Sequence, residues 1–277
     1  MGRGSSQAQV SQNGVRPALE QPDGWRFFTW AGADYQDNQE ERIGPDHPYA
    51  RLLISLERQV AQRLQEAGVK PLKDIDVCFF HDRDGTKDAV GGCGINSDNR
   101  IQLSLDMDPR ILKENRDYFV QMFCHEYCHG LFMRAFFTAH SADGQPRYDE
   151  TQEDIIINKF QHGEVIAEEA LADVFALIVH KQVNFPVGER VLSYQELLET
   201  NEYDDAYSLK KVLMALAKDL SDRQDNFVYR TLRLRETEPE LGLFQCLEQS
   251  IEADSEINPE GLNFEQLYES VRAQFEK

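Results

Sequence analysis

Apolar positions along the first part of the chain follow two different periods. Across residues 48–69, Leu52, Leu53, Leu56, Val60 and Leu64 recur at helical spacing, with Gly68 placed to end the helix. Residues 74–80, DIDVCFF, form a short run that reads as a strand. A Gly-rich loop follows through Gly94, and residues 93–96 and IQLSLD from Ile101 read as a further strand pair joined by the turn residues NSDN. From about Ile111 to Arg134 the chain is apolar on almost every side, which predicts a central helix. After the polar stretch SADGQPRYDE, the acidic residues Asp149, Glu150, Glu153 and Asp154 suit the positive end of another helix, which continues through VIAEEALADVFALIVH to about His180. Three or four amphipathic helices are expected beyond Phe185 and Pro186, the clearest in YSLKKVLMALAKDL, with Leu209, Val212, Leu213, Leu216 and Leu220 on one side.

This pattern predicts an α+β fold: a small, mostly antiparallel sheet beside two long helices, followed by a helical lobe. Residues 1–24, rich in Gly, Ser and Gln, read as a disordered tail, 25–187 as the core and 188–277 as the C-terminal lobe. The aromatic cluster WRFFTW, residues 25–30, must cover some surface of that core. No internal repeat is visible.

Composition narrows the function classes. With 41% hydrophobic and 28% charged residues the chain is an ordinary globular one, and its apolar runs fall far short of the roughly 20 residues of a spanning helix. The net charge of −20 argues against a nucleic-acid partner, because phosphate binding needs clustered cations. The first residues, MGRGSSQAQV, lack an apolar signal region, so a cytoplasmic location is expected. Gly2 and Ser6 fit the myristoylation pattern, the one route to membrane association; chance is the ordinary source of so short a match. Five irregularly spaced cysteines do not make a disulfide framework and fit a reducing compartment. Oligomeric state is not legible.

The chemistry concentrates in FCHEYCHG, residues 123–130. His125 and His129 stand at i and i+4, so on a helix they share a face and can close on one cation. Glu126 projects about 100° round from His125, beside that face, where a carboxylate can take a proton from water. This H-E-x-x-H spacing is that of zinc peptidases. It arises by chance in about one or two shuffled chains per hundred, so its surroundings matter. A catalytic zinc wants a third protein ligand. The compact pattern with a third His fails, since positions 132 and 135 are Phe and Ala. Forty residues further on, EEALAD places Glu169 and Asp173 at i and i+4 on the second long helix.

The pair HEYCH and EALAD resembles the gluzincins, the thermolysin-like clan of zinc metallopeptidases, whose motifs are HExxH and ExxxD. The second motif is most similar to those of the HtpX-type and ImmA/IrrE-type peptidases, and the resemblance as a whole covers roughly residues 74–180. The resemblance implies a zincin-like core, zinc as cofactor, a protein or peptide substrate, His125, His129 and Glu169 as ligands, Glu126 as general base, and Asp173 as acceptor for a ligand imidazole. HtpX-type enzymes are membrane-embedded, so their substrates do not transfer to a chain without a spanning helix.

Rival readings compete at several positions. Glu168 is a second candidate ligand, but its i+4 residue is Ala172, which leaves it no carboxylate to support it. His162, His180, Tyr203, Tyr207 and Tyr229 are candidates to stabilise an oxyanion, each also readable as ordinary packing. Cys124 and Cys128 sit about 100° away from the histidines, which disfavours a Cys2His2 site and makes them buried small hydrophobes. A haem attachment reading of CHEYCH has a spacing one residue too long. Arg230, Arg233 and Arg235 read as a salt-bridged face or a clamp for a substrate carboxylate. HDRDGTKDAVGGCG has no calcium- or phosphate-loop spacing and reads as a connection near the cleft. IQLSL is the expected edge strand for an extended peptide. Two alternatives stay open: a zincin-fold protein-interaction module with little or no proteolysis, and an effector or toxin protease acting in another cell.

Overall fold

The computed structural model describes residues 21–30, 40–80, 91–107, 116–140, 164–180, 190–199, 206–218, 220, 223–238 and 240–276. The fold is mixed α and β: a five-stranded sheet and, among the described residues, eight helices. The strands are β1 (Arg26–Trp30), β2 (Glu40–Ile43), β3 (Asp76–Phe80), β4 (Gly91–Ile95) and β5 (Ile101–Asp106). In the first half lie α1 (Pro48–Glu66), α2 (Arg116–His140) and α3 (Val165–His180). The C-terminal part holds α4 (Tyr194–Glu199), α5 (Ala206–Ala217), α6 (Phe227–Thr237), α7 (Leu243–Glu252) and α8 (Phe264–Arg272), five helices where three or four are expected.

The sheet runs β2-β1-β3-β5-β4. It departs from the expected mostly antiparallel arrangement: β1–β3 and β3–β5 are parallel, and only the outer strands β2 and β4 pair antiparallel. The aromatic cluster explains the difference. WRFFTW supplies β1 itself, whose Phe27 stacks on Phe79 of β3 with ring centroids 6.2 Å apart. Chain reversal through β2 and α1 then brings β3 alongside β1 in parallel. IQLSL is correspondingly an interior strand, and the outermost strand on that side is the glycine-rich β4.

α1 ends as its sequence predicts: Gly68, at φ +74°, lets the amides of Gly68 and Val69 reach back to the carbonyls of Gln65 and Leu64. α2 is buried on nearly all sides, touching β4, β5, α3 and α6. Its described start lies five residues after the expected one and its end six residues later; residues 111–115 are outside the described part. Tyr127 of α2 accepts the Leu72 amide at 2.8 Å, and Arg134 donates to the carbonyls of Lys70 and Pro71, so the segment leading into β3 is clasped by this helix. α3 owes its helicity and close packing to alanine: Ala167, Ala170, Ala172 and Ala176 are buried and let α2 and α5 approach. The acidic residues at 149–154, the tail 1–20 and most of the loop at 81–94 fall outside the described residues.

One hydrophobic cluster runs from Trp25 to Val271 and includes side chains of the C-terminal helices. Glu164, immediately before α3, accepts from the first two amides of α7, which ties that helix to the start of α3. Among the described residues no helix is long and apolar enough to cross a membrane. All five cysteines are free thiols, and Cys124 and Cys128 are buried as packing residues.

Candidate metal centre

α2 and α3 pack with HEYCH facing EEALAD. His125 and His129 project from one face of α2, and their Nε2 atoms lie 3.0 Å apart. Glu169 reaches across from α3, with one carboxylate oxygen 3.4 Å from His125 Nε2 and the other 3.4 Å from His129 Nε2. These three side chains could hold a metal ion. A tetrahedral ion with bonds of about 2.0–2.1 Å places neighbouring donor atoms about 3.3–3.4 Å apart, so the spacing matches the donor set of two imidazoles and one carboxylate.

The rest of each imidazole is committed. His125 Nδ1 lies 3.0 Å from Asp173 Oδ1, and His129 Nδ1 lies 2.8 Å from Glu168 Oε1. A carboxylate only accepts, so both Nδ1 atoms carry a proton and each ring turns its Nε2 towards the other. Two Nε2 atoms at 3.0 Å need a proton or a cation between them, since two bare lone pairs would repel. The electrostatics agree. Burial works against charging His125, yet Asp173 and Glu169 outweigh it and push its pKa up to about 10. His129 is likewise raised, against burial, chiefly by Glu168. Glu126, Glu168, Glu169 and Asp173 all act on this small volume, with Lys210 of α5 as the compensating cation paired to Asp173. The arrangement attracts positive charge.

Glu126 sits beside the cluster and points towards the sheet. It is 7% exposed. Burial raises its pKa, opposed by His125 and His129. A Cβ added at Gly91 would lie 2.6 Å from Glu126 Oε1, so this carboxylate rests against bare backbone of β4. Next along the same face of β4, Cys93 meets Met133, one turn beyond His129, at 3.7 Å.

The spacing-based reading therefore places His125, His129, Glu169, Glu126 and Asp173 together. Glu168, weighed as a rival ligand, faces the other side of His129. Its neighbour Glu169 was one signal, since adjacent carboxylates on a helix diverge by about 100° and only one can point inward as a ligand. Lys210 and Gly91 have no signal of their own in the sequence.

The remaining candidates lie apart or are engaged elsewhere. His180 Nε2 is 3.4 Å from Asp117, and Tyr207 lies under the Lys211 ammonium. Tyr229 is buried, and Arg63 is among its polar neighbours. His162 and Tyr203 are outside the described residues. Arg230 and Arg233 pair with Asp225, the salt-bridged face expected of them. Arg235 departs from it: it is buried, donates to the Leu241 carbonyl and covers the Phe136 ring.

Compared with protein-family models, curated proteins and solved structures, the chain matches none of them.

Proposed function

We propose that the chain is a zinc-dependent metallopeptidase that hydrolyses protein or peptide substrates, with His125, His129 and Glu169 as zinc ligands and Glu126 as general base. The convergence of these ligand atoms at 3.0–3.4 Å, with a buried carboxylate alongside, carries the reading. Zinc, borderline in softness and suited to imidazole and carboxylate donors, would supply the charge that polarises a scissile carbonyl and acidifies water. Glu126 is one residue from a ligand and has a raised pKa, which suits it to accept a proton from water and pass it to the departing amine. Asp173 and Glu168 hold the two imidazoles in the tautomer that leaves Nε2 free. β4 is unpaired on its outer side among the described residues and lies against Glu126, so an extended peptide could add there as a further strand.

The test is metal analysis of the purified chain together with an unbiased peptide-library digest of the parent and Glu126→Gln. Zinc is expected in both proteins and cleavage in the parent, with turnover about 10²–10⁴-fold lower in the variant. Equal cleavage by parent and variant would overturn Glu126 as base. Zinc uptake with no cleavage product dependent on Glu126 would turn the assignment to a metal-stabilised interaction module.

A further inference from the structure

Helix α5 contributes a charge to the cluster that the two motifs do not require. Lys210 borders the buried stripe of Leu209, Val212 and Leu213, and its ammonium pairs with Asp173 Oδ2. The other oxygen of Asp173 holds His125 Nδ1 at 3.0 Å. Lys210 and Asp173 side chains are only 19% and 16% exposed, so the pair is shielded from the water that makes surface ion pairs weak. A carboxylate held at one oxygen can still rotate about its Cβ–Cγ bond. Held at both, its plane is set, and the ring hydrogen-bonded to it is set too.

Resting on the metal reading above, we propose that Lys210 is a positioning residue of the metal centre: by clamping the second oxygen of Asp173 it fixes the direction in which His125 presents Nε2. The C-terminal helices would then govern the affinity of a site whose ligands all lie on α2 and α3.

Charge alone predicts the opposite sign. An ammonium near a divalent cation repels it, so a purely Coulombic Lys210 would weaken metal binding and its removal would tighten it. Loss of a clamp loosens binding instead. Outer hydrogen-bond partners of a ligand are worth about 10–100-fold in affinity, and Lys210, one bond further out, belongs near tenfold. The direction of the change thus separates the two roles.

The experiment is zinc competition against a chromogenic chelator, performed on the full chain, with far-UV circular dichroism to verify the fold. Lys210→Met should weaken zinc binding about tenfold, and Lys210→Arg should recover most of that loss. On an Asp173→Asn background, Lys210→Met should change the affinity no further, since the clamp then has nothing to transmit. Should Lys210→Met fail to fold, Lys210→Gln is read in the same way. A parent that binds zinc with Lys210→Met binding it equally or more tightly overturns the clamp and leaves the metal site standing. So does a loss that multiplies with that of Asp173→Asn. A parent that takes up no zinc overturns both.

Discussion

Two buried clusters of charge in this molecule differ in balance. On β3, Asp76 is 2% exposed and accepts from Arg26 Nε at 2.7 Å, Arg100 Nε at 2.8 Å and Asn96 Nδ2 at 2.6 Å. Burial works against its charge, but the two guanidinium groups outweigh it and hold its pKa below the ordinary value. Asp98 pairs with Arg26 from the water side at 2.8 Å, so two carboxylates meet two guanidinium groups, both oxygens of Asp76 are bonded, and the two arginines keep an edge in water. Between α2 and α3 the balance differs: Glu126, Glu168, Glu169 and Asp173 gather round two imidazoles, with Lys210 paired to Asp173 among the described residues, and the two Nε2 atoms stand 3.0 Å apart. A closed, neutralised cluster ties strands together, whereas one left short of positive charge at its centre is a place for a cation.

The largest effect expected from this contrast is on the zinc dependence of stability. Zinc at a thousand times its dissociation constant should stabilise the chain by about 4 kcal/mol, reversibly with a chelator, as read from urea unfolding with and without metal. Asp76→Ala should leave that increment in place.

The same Asp76→Ala variant should lower the stability of the metal-free chain by about 2–3 kcal/mol. This is below the 3–5 kcal/mol for a fully buried pair because Arg26 and Arg100 retain access to water. Unchanged unfolding midpoints would show that the hub contributes nothing.

A smaller effect is expected at Glu168. Glu168→Gln keeps the shape but removes the anionic acceptor of His129, and zinc affinity should fall about 10–100-fold in chelator competition with the fold intact. If Glu168 were itself a ligand, the loss would be far larger and Glu169→Gln would be harmless.

The smallest expected effect concerns a third buried charge, which lacks a compensating partner of comparable strength. Glu57 of α1 is 6% exposed, and burial raises its pKa from 4.5 to about 7, with Arg58 opposing. The folded state binds the proton more tightly than the unfolded one, so stability is full below about pH 4.5, declines as pH rises towards 7 and is flat above. In chelator, Glu57→Gln should remove this decline and gain about 1–2 kcal/mol at pH 8 relative to the parent, read from unfolding curves at pH 5 and 8.

The legibility of this molecule follows the range of the interactions. Helical spacing puts His125 with His129 and Glu169 with Asp173 on shared faces, and the apolar pattern makes both helices central, so the inner part of the site can be read from sequence. The α+β class is equally local. The parallel centre of the sheet is not, because nothing in WRFFTW or DVCFF specifies which distant strand each pairs with. The β4–β5 hairpin is legible from the turn NSDN, but β4 begins two residues before the expected Cys93, at glycines of low intrinsic strand propensity that become strand through pairing with β5. Lys210 looks like any polar-face lysine until α5 crosses α3.

Gly91 gives the site a division of labour. At that point the strand offers only main chain to the Glu126 carboxylate, while the face of α2 that carries His125 and His129 looks towards α3. One extra methyl at residue 91 would meet the Glu126 side chain first. On the proposed chemistry, position 91 would then act as a throttle on turnover, through which such a catalyst could be slowed, by mutation or by design, while still carrying its zinc.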